Sequence, residues 1–76
     1  MLRGYRRRKA LERGVPPYVV FSDATLRDLA RIRPSNHERL LTVHGIGARK
    51  SAEYGDELLD EIADYCRNCG VTLDSD

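Results

Sequence analysis

Cysteine is scarce in this chain: Cys66 and Cys69 are its only two, too few for a disulfide framework and in keeping with a reducing compartment. Long apolar runs are missing as well. None approaches the roughly 20 residues that a bilayer-spanning helix needs, and the arginine-rich start is followed by neither an apolar stretch nor a cleavage site of a signal peptide. An intracellular protein is expected. Internal repeats and low-complexity linkers are also absent, and 76 residues make one domain. A core of that size contributes ~3–5 kcal/mol net, which argues against a deep enzyme cleft.

What is present is the composition of a soluble globular domain, with 41% hydrophobic and 33% charged residues. The net charge of +1 conceals a gradient: residues 1–14 carry +5, residues 15–50 carry +3, and residues 51–76 carry −7. A phosphate backbone would be attracted to the first two-thirds and repelled by the last third.

Good helix formers from Leu2 to Arg13 predict a first helix, with Leu2, Tyr5 and Ala10 as its sparse apolar side and Gly14 as its C-terminal cap. Val15-Pro16-Pro17-Tyr18-Val19-Val20-Phe21 cannot continue that helix and has the β-branched content of a strand. No second strand candidate exists to pair with it, so it is read as an extended or 3₁₀-like apolar connector packed across helices. Asp23 is placed to cap the next helix, whose apolar face is Leu26, Leu29 and Ala30 and which Pro34 stops. Ser35 or Asn36 would cap a short helix carrying Leu40, Leu41 and Val43. The sequence His44-Gly45-Ile46-Gly47 predicts a tight loop. Another short helix is expected from Ala48 to Tyr54, with a kink or break at Gly55. Leu58, Leu59, Ile62, Ala63 and Cys66 then form one stripe of a last helix, closed by Gly70. The expected fold is all-α, a compact five-helix bundle with an ordered core over about 2–70 and a tail over 71–76.

The segment from Val15 to Leu26 resembles the signature of HRDC domains, named for helicases and RNase D C-termini. The resemblance continues through Arg33-Pro34, Leu40-Leu41-Thr42-Val43-His44-Gly45-Ile46-Gly47, and Arg49-Lys50 to Tyr54-Gly55, covering roughly residues 2–68. It implies a five-helix accessory module without an active site or cofactor, attached to a catalytic core elsewhere in a larger enzyme. The wording of Val15 to Tyr18 is most similar to bacterial RecQ-type ATP-dependent DNA helicases, in which such modules help engage single-stranded or structured DNA. In RNase D-like nucleases they help position RNA. A cytoplasmic monomer, brought to the nucleoid by its parent, follows from the bacterial reading. The chain departs from the family pattern at Tyr5, where tryptophan is common, and at Lys9, where an apolar residue is frequent, so helix 1 is expected to pack less firmly.

Several residues carry candidate chemistry. Tyr18, held beside two prolines, can stack a base without sequence preference, a role the resemblance supports; it can equally cover the core with Val19, Val20 and Phe21. Arg6, Arg7, Arg8 and Lys9 are spread around a helix, so only some can face a phosphate, and a solvated face is the plain alternative. Gly45 and Gly47 with Arg49 and Lys50 resemble the hairpin of helix-hairpin-helix motifs, which offers backbone N–H groups to phosphate; a structural turn explains the glycines as well. A Walker A loop is excluded, because His44 and Arg49 stand where its glycines belong. Cys66 and Cys69 lack partners at zinc-ligand spacing, with only His37 and His44 available in mid-chain. Asp56, Glu57, Asp60, Glu61 and Asp64 form an acidic face that either keeps the protein soluble or docks a basic partner, such as another domain of the parent.

Overall fold

The computed structural model describes residues 2–74, and among them the regular structure is helical throughout: α1 (Arg3–Arg13), α2 (Pro17–Val20), α3 (Asp23–Ile32), α4 (His37–Leu40) and α5 (Ala48–Cys69). The helices number five as expected, but they are divided differently. The connector supplies one, and the two expected C-terminal helices are a single rod.

Helix α1 ends where Gly14 turns left-handed (φ 66°) and Val15 N–H reaches back to the Ala10 carbonyl at 3.0 Å. Pro16 is extended, but Pro17 begins a turn of helix instead of prolonging the extended run, because a ring-fixed φ and a missing N–H suit the first helical position. The connector is therefore one α-turn between extended residues Pro16 and Phe21. Val20 and Phe21 are wholly buried, and the Phe21 ring meets Tyr54 edge-on at 5.3 Å between centroids. Val19 is 42% exposed and is not the core residue that the sequence suggested.

Ser22, not Asp23, caps α3, its Oγ accepting the Thr25 N–H at 3.2 Å. Asp23 is instead the first helical residue, where its charge still complements the helix dipole. Thr25, Leu26, Leu29 and Ile32 face the core, whereas Ala30 is exposed. Arg33 leaves the helix with φ 50°, and Pro34 follows fully buried. Asn36 caps α4 by accepting the Arg39 N–H at 2.8 Å. That helix stops at Leu40: Leu41 is 49% exposed, and Val43 is buried from the following turn.

No break occurs in α5, which runs 22 residues straight through Gly55. The glycine is there for its lack of a side chain, since a Cβ would lie 2.5 Å from Cε1 of His37. Leu58, Ile62 and Cys66 form its buried stripe, with Leu59 and Ala63 at the margin. Tyr5 and Lys9, the departures in helix 1, are both accommodated: Tyr5 is 3% exposed, and the Lys9 stem is covered while its ammonium reaches Glu57 at 2.7 Å. Beyond Gly70 the chain folds back, with Asp74 N–H donating to the Arg33 carbonyl at 2.8 Å and the Asp74 carboxylate accepting from Ser35 N–H at 3.0 Å. Residues 75 and 76 of the expected tail lie outside the described residues.

Candidate nucleic-acid interface

The one-turn α2 sets its four side chains in different directions. Val20 goes inward and Tyr18 outward, leaving Tyr18 71% exposed on a backbone fixed by two prolines and by the buried Phe21. Beside it, Val19 shares a cleft of about 190 Å³ with Arg13 of α1 and Arg49, Lys50, Glu53 and Tyr54 of α5. Lys50 holds its ammonium 5.5 Å from the centre of the Phe21 ring, and Arg49 pairs with Glu53 at 3.0 Å while remaining largely in solvent. Arg13 donates to the Tyr54 hydroxyl, which keeps the guanidinium firmly protonated, and lies 3.5 Å from Glu53. An exposed ring one residue along the chain from a cleft lined by three cations and one carboxylate is an arrangement that can stack a base and hold a phosphate nearby.

The two glycines of the loop separate in role. Gly45 has φ 83°, and a Cβ there would collide with Thr25 Oγ1, so its smallness is required by packing. Gly47 has open space around it and caps α5 without a side-chain bond, and no acid occupies the first turn, where Arg49 and Lys50 stand. Such a helix start favours an anion. The loop is fixed from outside by Asp28, whose carboxylate accepts the His44 N–H at 2.7 Å; that bond and Arg31 hold the Asp28 carboxyl below the usual range.

Most of the basic run of α1 is turned toward carboxylates. Arg6 bonds Asp23 at 2.8 Å and the Phe21 carbonyl at 3.1 Å, which draws the Asp23 carboxyl below its ordinary value. Arg8 meets Glu61 at 2.8 Å and Lys9 meets Glu57 at 2.7 Å, so with Arg13 and Glu53 the basic side of α1 pairs with an acidic row of α5 running the opposite way. The Tyr5 hydroxyl donates to Glu57 at 3.1 Å; its burial and that neighbouring charge push the phenol up, while Lys9 and then the phenol pull Glu57 down. Only Arg7 of the four candidates has no ion pair among the described residues.

The acidic candidates divide in the same way. Glu57 and Glu61 face α1, whereas Asp56, Asp60 and Asp64 follow one another at intervals of four on another side of α5. Asp64 pairs with Arg67 along the helix, and Asp56 lies 2.7 Å from His37 Nε2. His37 Nδ1 is in turn 3.0 Å from Ser51 Oγ, a polar chain the sequence did not suggest because its members are far apart. It superficially resembles a hydrolase relay, but Ser51 is 7% exposed, and the cleft lined by His37, Asp56, Leu59 and Asp60 does not include it. Its visible job is to tie α4 to α5.

Also missed were Arg13 and Val19, and Arg3 and Arg27, which flank a cleft between α1 and α3. Their signal was the interval of four between Arg3 and Arg7 and between Arg27 and Arg31. Cys66 is buried and Cys69 exposed, both as free thiols; among the described residues no three His, Cys, Asp or Glu side chains gather as a metal site would. No helix among them is long and apolar enough to cross a membrane.

Comparison with known proteins agrees with this architecture. The ATP-dependent DNA helicase RecQ of Bacillus subtilis is 47% identical over 66 residues, covering 87% of this chain and 11% of the relative. The ATP-dependent DNA helicase UvrD2 of Mycobacterium tuberculosis is 43% identical over 61 residues, covering 80% of this chain and 9% of the relative. The chain thus spans about a tenth of the length of these curated relatives. Among solved structures, D. radiodurans RecQ HRDC domain 3 superposes with a TM-score of 0.81 at 38% identity, covering 84% of each chain. Residues 1–62 match the HRDC domain family, and with the five-helix fold in common the chain belongs to it.

Proposed function

We propose that this domain is a nucleic-acid-binding accessory module of a RecQ-like ATP-dependent DNA helicase, holding single-stranded or structured DNA weakly and tuning which substrates the enzyme engages. The observation that carries this reading is Tyr18: a ring 71% exposed and rigidly mounted, whose chain neighbour Val19 lines a cleft with Arg13, Arg49, Lys50 and Glu53. Stacking on such a ring is tolerant of sequence, which suits a module serving an enzyme that meets many sequences. Gly47 and the start of α5 add backbone donors. Titration of a labelled single strand against wild type and Tyr18→Ala tests it. Affinity should drop about tenfold in the variant; equal affinities would remove Tyr18 from the account.

A second reading is favoured by one observation. Asp56, Asp60 and Asp64 are not engaged by α1, and the first two border a cleft of about 490 Å³ with His37 and Leu59, a surface to which a basic part of the parent's catalytic core could dock. Chemical-shift changes confined to these residues on adding the catalytic core, with none on adding DNA, would replace the first reading by the second.

A further inference from the structure

Arg3 and Arg27 face each other across a cleft of about 220 Å³, lined also by Leu2, Asp23, Leu26 and Ala30. Asp23 is already bonded to Arg6, and Arg3 and Arg27 stand near enough to favour its ionised form. Two guanidiniums and one carboxylate therefore line the cleft, the carboxylate already taken by Arg6, and the cleft keeps a positive excess. One turn along α1 from Arg3 is Arg7, and one turn along α3 from Arg27 is Arg31. Arg27 and Arg31 also line the adjoining cleft of about 380 Å³ with His44 and Asp28. Asp28 neutralises Arg31 at 2.8 Å, but Arg3, Arg7 and Arg27 form no ion pair among the described residues.

Like charges one turn apart weaken a helix, and this chain elsewhere answers its α1 cations with acids of α5. Arg3 and Arg7 make one such pair that no acid answers, and Arg27 adds a third unpaired guanidinium across the cleft, an excess that an anion would offset. Guanidinium forks match phosphate oxygens in pairs, and apart from the His44 imidazole neither cleft is lined by a ring, so the surface suits backbone charge more than bases.

We infer that Arg7, Arg3 and Arg27, continued by Arg31, form a second nucleic-acid track that takes phosphodiester groups and shares no residue with the Tyr18, Arg49 and Lys50 surface. The inference rests on the nucleic-acid reading above. Two surfaces of unlike chemistry, one built on an exposed tyrosine and one on guanidiniums, fit a substrate that offers both an unstacked base and a paired flank.

The test is a salt series of binding measurements on the full chain, with a single strand and with a single strand joined to a duplex. Each phosphate contact contributes about 0.7 to the logarithmic salt slope for single strands and about 0.9 for duplex. R3Q/R27Q should lower the slope on the junction by about 1.8 and weaken binding several-fold at low salt. Tyr18→Ala should weaken binding at unchanged slope, and R3K/R27K should keep the slope of the wild type. If R3Q/R27Q binds as the wild type does while Tyr18→Ala is weakened, the track is wrong and the nucleic-acid reading stands. If R3K/R27K loses the slope as well, charge is not the cause and the track also fails. Wild type that binds neither DNA overturns both.

Discussion

Gly45 and Gly55 are held by contacts with residues 20 and 18 positions away, and each can be tested by the smallest possible change. An added methyl at Gly45 would meet Thr25 Oγ1 on a backbone of φ 83°, so Gly45→Ala should cost about 2 kcal/mol in urea unfolding. Gly55→Ala should cost about 1–3 kcal/mol, because the His37 ring must leave and gives up both Ser51 and Asp56. Combining Gly55→Ala with His37→Ala should be milder than the sum of the two single changes. These partners explain why the loop glycine was legible in the sequence while the helical one was mistaken for a break. A tight turn is a local property. The seat of a distant imidazole is not, and a glycine inside a helix reads as a weak point until its visitor is known. Tyr18 lies between these cases: proline rigidity was readable, but the direction of the ring depended on the turn of helix that Pro17 starts.

At the scale of elements, the amphipathic stripe of α5 and the opposed charges of the two ends of the chain were plain in the sequence. Their register was not. Arg8 with Glu61, Lys9 with Glu57 and Arg13 with Glu53 match up only once α1 lies antiparallel on α5, and nothing local dictates that. The same contact decides which candidates remain available: it occupies Arg8, Lys9, Glu57 and Glu61 and leaves Arg7 and Asp60. Capping was misassigned by one residue for a comparable reason. Serine and aspartate are both good caps, and the Arg6 guanidinium holds Asp23 while Ser22 takes the Thr25 N–H. Ser22→Ala should accordingly cost about 1 kcal/mol, read as a lowered urea midpoint with an unchanged slope.

For the whole molecule, a small core makes single deletions severe. Leu29 is fully buried, and Leu29→Ala should cost about 2–5 kcal/mol, comparable with the entire net stability of a domain this size, so circular dichroism should show it largely unfolded at room temperature. Acid should act through the carboxylates. Asp23, Asp28, Glu57 and Asp74 all titrate below their ordinary values in the folded chain, held by Arg6, the His44 N–H, Lys9 and Ser35 respectively. Their contribution is complete above the unfolded range of about 4 and is lost as pH falls through the folded values. Melting temperature should therefore be flat from neutral pH to about 5 and decline below about 4.

The pairing of α1 with α5 has a kinetic consequence. A chain whose ends carry +5 and −7 would be a strong dipole if they lay apart, but folding presses them together, and at a distance only the net +1 remains. A strand approaching from several Debye lengths away meets almost no field and is not drawn in. Salt should then change the lifetime of the complex and leave the speed of encounter nearly constant, a division that stopped-flow association and dissociation traces at rising ionic strength would display.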